Sequence, residues 1–395
     1  MTPKTGSAIA WFEEGTAPGI RRPGDRPRWE RCVEHRGAEV RDFARAHFGE
    51  DHRQILLIGG AGFDPRSIQI ANLLTSVAGG RVTGHFLRER RRNPDAGQLA
   101  EAEEHVSQLK GLLGAATFVD LQVFDSDGAV VVGRHVVDAV SDLELNRYAD
   151  VVIDFSALSI GTSFPLTRLI LERIESGKIP INLHAMVTAR PRTDARIVAS
   201  PSAFVGPIHG FQGRFGIDET SRAAKLWIPQ LRISHRGILE RIHDFVNPDD
   251  IVPVLPFPSD EPLVGDRLIE EYAVEFENRW SVDARNIVYA EETNPLDFYR
   301  TVLRIDDARF PVFETTGGSL LILSPIGSKS LAIGGMMAAM ERDLPVVYVE
   351  ALSFSTTLGG DDNSYSDDDL AHVWLIGDEV YPATIRRDAA SRPTQ

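Results

Sequence analysis

The chain has 395 residues, 43% hydrophobic and 25% charged, with a formal net charge of −15 and a single cysteine, Cys32. That is the composition of a globular protein long enough to bury a large core, and it excludes an intramolecular disulfide framework and a cysteine-rich zinc site. The acidic balance argues against a protein that grips nucleic-acid backbones through a broad basic face, and no apolar run is long enough for a transmembrane helix.

The opening stretch, MTPKTGSAIAWFEEG, lacks the apolar core of a signal peptide, so the expectation is a cytoplasmic protein. Residues 1–50 are rich in Arg, Gly, Pro and Glu and read as an N-terminal extension, with a helix predicted over 34–48. The chain then alternates. QILLIGG (54–60) reads as a strand, 67–77 as a helix, RVTGHFL (81–87) as a strand and 95–114 as a helix. Strands follow at 117–124 and 149–158, a helix at 165–177 and a strand at 180–188.

The second half repeats the rhythm. Strands are predicted at 225–231, 250–257, 284–290 and 319–325, with helices at 236–246, 266–280, 295–305 and 329–342 between and after them. Two strands without an intervening helix, 345–352 and 371–377, finish it, joined by an acidic loop at 359–369. Strands alternating with helices of this length indicate βαβ units. The predicted fold class is therefore α/β, with Rossmann-like, mostly parallel, doubly wound sheets and a C-terminal antiparallel hairpin. The predicted organisation is an extension (1–50), a first Rossmann-like half (51–190), an irregular glycine-rich connector (191–222), a second half (223–385) and a tail (386–395).

Three strand-end segments carry candidate ligand-binding residues. The first is Gly59-Gly60-Ala61-Gly62-Phe63-Asp64-Pro65-Arg66, where Asp64 reads as a helix N-cap and Pro65 as the first helical residue. Glycines let a ligand approach the backbone, and helix-start N–H groups favour an anion. The segment is not a GxGxxG fingerprint, because Pro65 takes the place of the third glycine, and the run Arg88 to Arg92 follows the next predicted strand. The alternatives are a tight strand-to-helix turn and, for the arginines, a solvated surface turn. The second segment is Asp154-Phe155-Ser156, at the strand end where ligands bind in open α/β sheets. There Asp154 is a candidate ribose ligand or general base, or else a loop cap.

The third is Ser324-Pro325-Ile326-Gly327-Ser328-Lys329-Ser330, a loop between a buried strand and a helix rich in small residues. Lys329 would set a positive charge at a helix N-terminus, a local conflict that an anion would relieve. It is not a Walker A loop, since Ser328 precedes the lysine, and not a nucleophile elbow. Gly334, Gly335, Ala338 and Ala339 indicate close packing on the sheet or on a partner subunit. This segment resembles the strand–TGGTK–helix loop of CARF domains and the related loop of SAVED domains, Rossmann-like sensors of cyclic oligonucleotides in prokaryotic defence. The resemblance covers about the last 80 residues and departs from the family at Ile326-Gly327, where paired glycines are usual. It implies that Ser324, Gly327, Ser328, Lys329 and Ser330 contact the ligand, with the loop from Gly59 to Asp64 completing the pocket.

The remaining candidates are weaker. The eleven histidines are scattered, without HExxH or a close His/Asp cluster, so no metal site is expected. His184 reads as a core histidine and His209 as the histidine best placed for a pocket. Glu291 and Glu292, with Asp154, are the carboxylates for an enzymatic reading. The functional expectation is a nucleotide-binding protein, a sensor or effector of prokaryotic anti-phage defence, with a nucleotide as ligand. A homo-oligomer or a subunit of a protein complex is expected, with no membrane association and little direct nucleic-acid binding. The alternatives are an enzyme cleaving or transferring a glycosidic bond of a nucleotide or nucleoside, a methyltransferase, which the missing acid after the second strand disfavours, and a non-catalytic scaffold.

Overall fold

The computed structural model describes residues 22–92, 94–190, 197–216, 223–356 and 366–377. Most of the acidic loop at 359–369 and the predicted tail lie outside them, as do residues 1–21 of the extension. In chain order the strands are β1 (Val33–Arg36), β2 (Ile55–Gly60), β3 (Val82–Arg90), β4 (Ala115–Gln122), β5 (Asp150–Asp154), β6 (Asn182–Thr188), β7 (Ile197–Pro201) and β8 (Gly206–Pro207). They continue with β9 (Ala224–Pro229), β10 (Asp250–Ile251), β11 (Val254–Pro256), β12 (Val288–Ala290), β13 (Ser319–Ser324), β14 (Val347–Tyr348), β15 (Ala351–Thr356) and β16 (Leu370–Ile376). The α-helices are α1 (Ala38–Phe43), α2 (Gln69–Ala78), α3 (Ala96–Leu112), α4 (Val132–Val140), α5 (Ile160–Gly177), α6 (Arg236–Val246), α7 (Val264–Glu271), α8 (Pro295–Phe313) and α9 (Lys329–Arg342).

The first sheet has the order β1-β16-β6-β5-β2-β3-β4. Its five central and outer strands from β6 to β4 run parallel, and β16 and β1 add antiparallel pairs at the other edge. Every residue of β2 and β5 is buried, as a strand covered by helices on both faces requires. The chain runs outward from β2 through β3 to β4, then returns to β5 and runs the other way to β6. The strand order therefore reverses between β2 and β5, and a crevice opens at their carboxyl ends.

The second sheet repeats this plan in smaller form. β10, β9 and β13 run parallel, and the bridges Gln230–Val254 and Leu323–Val346 extend them to the β11–β12 pair on one side and to the β14 strand on the other. Its order reverses between β9 and β13. One continuous core joins the halves, with Leu56, Ile58 and Ile153 of the first sheet in the same cluster as Ile228, Leu321 and Leu323 of the second. The small residues of α9 serve this core: a Cβ on Gly334 would lie 2.0 Å from the Pro295 carbonyl oxygen and one on Gly335 3.1 Å from the Phe298 ring. The close packing they announced is on α8, within the chain.

Mixed α/β architecture with mostly parallel sheets and antiparallel strands at the C-terminal end is thus present. Besides α4, a helix that the sequence reading leaves unassigned, the structure differs from that reading in three places that concern strands. Residues 34–36, expected at the start of a helix, belong to the edge strand β1 and pair with β16. Leu370–Ile376, grouped with the second half, inserts into the first sheet between β6 and β1. The connector region also holds strands, since β7 pairs with β15 and β8 with β14. Each difference rests on a partner strand more than a hundred residues away, which local patterning does not reveal. The extension is also tied down: Trp29 is fully buried, its indole N–H donating to the Leu375 carbonyl (2.8 Å).

Candidate functional site

The loop after β2 folds as its capping residues dictate. The Asp64 carboxylate accepts the Arg66 backbone N–H (3.0 Å), and Pro65 opens a short 3₁₀ turn. The same carboxylate clamps the Arg66 guanidinium with bonds of 2.9 and 2.6 Å. Burial pushes the Asp64 carboxyl up, but Arg66 and Lys329 outweigh it and hold it below its usual range. Gly62 opens onto free space: apart from its chain neighbours, no heavy atom of the described residues lies within 4 Å of where a Cβ would stand.

Across from it, Ser328 caps α9, accepting the Leu331 N–H (3.2 Å) and donating to the Glu292 carbonyl (2.8 Å). The Gly327 N–H donates to the Gln230 side-chain oxygen (3.1 Å). Lys329 Nζ reaches across to the first half and donates to the Leu158 carbonyl in the β5–α5 loop (2.6 Å). The strand ends of both sheets consequently face one cavity of about 230 Å³, whose walls include Gly62, Asp64, Arg66, Gly327, Ser328 and Lys329.

Other candidates lie beneath this surface. Gly59 and Gly60 are buried within β2, where a Cβ on Gly60 would stand 2.8 Å from the Ala157 carbonyl oxygen. The Ser324 hydroxyl accepts the Trp227 indole N–H (3.0 Å) and donates to the Val347 carbonyl (2.9 Å). Ser156 accepts the Thr188 N–H (2.8 Å). Ser330 is fully buried. Asp154 accepts the Ser156 N–H on Oδ1 (2.8 Å), while its Oδ2 is buried without a hydrogen-bond partner among the described residues. Burial pushes the Asp154 carboxyl up to about 7, against the pull of the Ser156 hydrogen bonds and of Lys329.

The arginine run is divided. Arg88 and Arg90 are part of β3, line the cavity and both pair with Asp120 (2.6 and 3.0 Å). Arg91 is nearly buried and joins the halves: it binds Glu89 (2.7 Å) and Glu350 (2.9 Å), and it also donates to the Ala351 carbonyl. Burial raises the Glu350 carboxyl, whereas Arg91 and the bond from the Ser159 N–H (2.9 Å) overcome burial and keep Glu89 low. The Arg91 guanidinium also lies over the Phe354 ring, 4.8 Å from its centroid, and Phe354 meets Phe63 at 5.7 Å. Phe63 and Phe354 both line the cavity, as do Arg232 and His235 from the segment after β9.

Sequence reasoning missed Arg232, Phe354 and the Arg91–Glu350 link, because they reach the cavity from distant strands. The available signal was that Arg232 and Phe354 stand just past predicted strands, whereas Glu350 lies inside one, at 345–352. The enzymatic candidates do not converge. Glu291 pairs with Arg36, Glu292 lines a neighbouring cavity of about 160 Å³, and Asp154 lies below the cavity walls. His209 lines a separate cavity of about 200 Å³ with Arg134 and Glu350.

At the amino end of β5 the fold gathers histidines that the sequence scatters. His47 and His184 both bond Asp150 Oδ1 through Nε2 (2.9 and 3.2 Å), His372 bonds His184 (3.0 Å), and His35 bonds His372 (2.9 Å). The expected absence of a close His/Asp cluster is therefore corrected. The members come from α1's continuation, β1, β5, β6 and β16, so no spacing motif links them.

No protein-family description matches the chain, and no curated protein matches it. Among solved structures, a Pseudomonas aeruginosa protein assigned as a universal stress protein aligns at 10% identity and a TM-score of 0.22, covering 75% of this chain and 93% of that one. A universal stress protein from Archaeoglobus fulgidus aligns at 11% identity and 0.21, covering 78% and 97%. The E. coli tRNA N6-threonylcarbamoyladenosine dehydratase TcdA, solved with AMP, aligns at 14% and 0.21, covering 40% and 59%. Among the described residues no helix is long and apolar enough to cross a membrane.

Proposed function

We propose that this chain binds a nucleotide in the cavity between its two Rossmann-like halves. The carrying observation is that the reversal points of both sheets open onto the same cavity, with Gly62, Arg66, Gly327 and Lys329 on its walls. Open α/β sheets bind ligands at such points, and here two of them face each other. The start of α9 offers backbone N–H groups to an anion, and Lys329 adds a charge beside them. Phe63 and Phe354 offer aromatic faces on which a base can stack. We place the protein as a sensor or effector of prokaryotic anti-phage defence, a role supported by the resemblance of the Ser324–Ser330 loop to those of CARF and SAVED domains.

The test is a thermal-shift screen of the full chain with NAD, S-adenosylmethionine, nucleoside mono- and triphosphates, and cyclic di- and oligonucleotides. A ligand present at 100 times its Kd stabilises the fold by about 2.7 kcal/mol. One nucleotide class is expected to shift the melting temperature, and Lys329→Ala is expected to weaken that binding while leaving the unliganded melting temperature near the parent's. No shift across the panel, or a shift that Lys329→Ala leaves intact, overturns the proposal. Chromatography of the ligand after incubation separates binding from turnover.

A further inference from the structure

We propose that His47, His184 and Asp150 form a binding site for a divalent transition metal of the zinc class, at the amino end of β5 and away from the nucleotide cavity. The donor atoms of these three residues lie within 4.8 Å of one another, and all three residues are buried. Nε2 of His47 and Nε2 of His184 stand 2.9 and 3.2 Å from Asp150 Oδ1. Metal–ligand bonds of about 2.0–2.2 Å in a tetrahedral site set donors roughly 3.3 Å apart. The two contacts to Asp150 are already near that spacing, and the two imidazole nitrogens lie within 4.8 Å of each other. Two imidazoles and a carboxylate are a donor set that zinc accepts. Asp150 Oδ2 is buried and has no hydrogen-bond partner among the described residues, and it supplies a fourth donor if the carboxylate binds through both oxygens.

The surroundings are built as a second layer of ligands. A metal-binding histidine needs its other ring nitrogen held by an acceptor. His184 Nδ1 faces His372 Nε2 at 3.0 Å, and His372 Nδ1 faces His35 Nδ1 at 2.9 Å. Without metal, Asp150 only accepts, so His184 carries its proton on Nε2, His372 on Nε2 and His35 on Nδ1. With metal on His184 Nε2, the same three protons move to His184 Nδ1, His372 Nδ1 and His35 Nε2, each ring stays neutral, and none is released from this chain. His47 likewise moves its proton to Nδ1. Arg53, 3.5 Å from Asp150, is itself paired with Glu50 (2.7 Å), and the Asn182 amide donates to Asp150 Oδ1 (2.9 Å). Bound there, the metal would join β5 and β6 to the segment that follows α1, and so fasten the N-terminal part of the chain to the sheet.

The full chain, stripped with EDTA and desalted, is titrated with Zn²⁺ or Co²⁺. Bound metal is measured by elemental analysis, coordination by the visible absorption of Co²⁺, and stability by melting. The expected result is about one metal per chain, four-coordinate Co²⁺ bands, and a rise in melting temperature that EDTA reverses. His47→Gln sits at the outer edge of the network and is the informative variant, and His184→Gln the stricter one. Each is expected to weaken metal binding by about 10- to 100-fold or more. Circular dichroism checks that each variant folds. If the stripped protein takes up no metal on titration and its melting is indifferent to Zn²⁺, the cluster is a hydrogen-bond network alone and the proposal fails. It fails equally if folded His47→Gln binds metal as the parent does.

Discussion

Asp150 and Asp154 stand at the two ends of the same strand, both buried, and their surroundings drive them in opposite directions. At the amino end, burial pushes the Asp150 carboxyl up, but hydrogen bonds from His184 and His47 prevail and hold it well below its usual range. At the carboxyl end, burial prevails and Asp154 is pushed up to about 7. The difference lies in what the neighbouring strands deliver. β6 and β16 bring histidines to one end, whereas at the other the backbone turns away into loops. One end of the sheet is a closed polar core and the other is a set of charges arranged around a cavity. Asp150 Oδ1 gathers donors from His47, His184 and Asn182, whereas Asp154 Oδ1 has the Ser156 N–H, and that difference in donors decides which way each carboxyl is driven.

The carboxyl end nevertheless depends on one inner clamp, and its removal is the largest effect expected. Arg91→Met leaves Glu89 and Glu350 buried without their shared cation. Breaking a buried pair in this way costs about 3–5 kcal/mol. Without Arg91 both carboxyls have folded pKa values above their unfolded ones. Their contribution is then intact below about pH 4 and is lost as the pH rises through the folded values, so the deficit should be larger at pH 8 than at pH 5. Urea denaturation at the two pH values measures it. A loss below about 1 kcal/mol, or one independent of pH, would show that the halves are held by their apolar core alone.

How much of this was legible in the sequence depends on the range of the interaction. Asp64-Pro65 marks a helix start through local capping where the pattern puts it, and the helix predicted from residue 295 begins there, capped by Asn294. The loop from Gly327 to Lys329 was legible for the same reason: a buried strand, a serine cap and a helix of small residues adjoin in the chain. The partners of these loops were not legible. Arg91 meets Glu350 across 259 positions of chain, and the histidines meet through strand pairings of β16 that no periodicity announces. Asp154 illustrates the middle case. Its place at a strand end was readable, but its depth below the cavity depends on Gly59 and Gly60 lying flat against β5.

The contrast between the two aspartates can be broken directly by replacing each with asparagine, in EDTA so that metal plays no part. Asp150→Asn removes charge-assisted hydrogen bonds and is expected to cost about 2–3 kcal/mol. Because the folded pKa of Asp150 is depressed, its contribution is present above about pH 4 and is lost only in stronger acid. Asp154→Asn keeps an acceptor for the Ser156 N–H and removes a carboxyl that folding disfavours when ionised. Its folded pKa is raised, so the penalty grows between about pH 4 and pH 7, by at most about 1.4 kcal/mol per unit. Asp154→Asn should therefore stabilise the chain at pH 8 and make no difference at pH 4. Denaturation curves of the same sign for both variants at pH 8 would remove the distinction drawn between the two ends.

The smallest effect sharpens the boundary between sheet and cavity. Gly60 and Gly62 are two residues apart, yet a Cβ on Gly60 would press against the Ala157 backbone, while one on Gly62 would enter open space. Neither backbone requires a positive φ, so the contrast is one of space alone. Gly60→Ala must displace β2 or the segment after β5 and is expected to lower the melting temperature. Gly62→Ala restricts the unfolded chain without a native clash, and should leave stability unchanged or raise it by about 0.4–1 kcal/mol. A methyl group there faces the cavity, so the same variant should weaken whatever nucleotide the thermal-shift screen selects. A stable Gly62→Ala protein with full affinity would move the ligand to the other wall, beside Lys329 and Arg232. A destabilised one would mean that the loop closes over this position in solution.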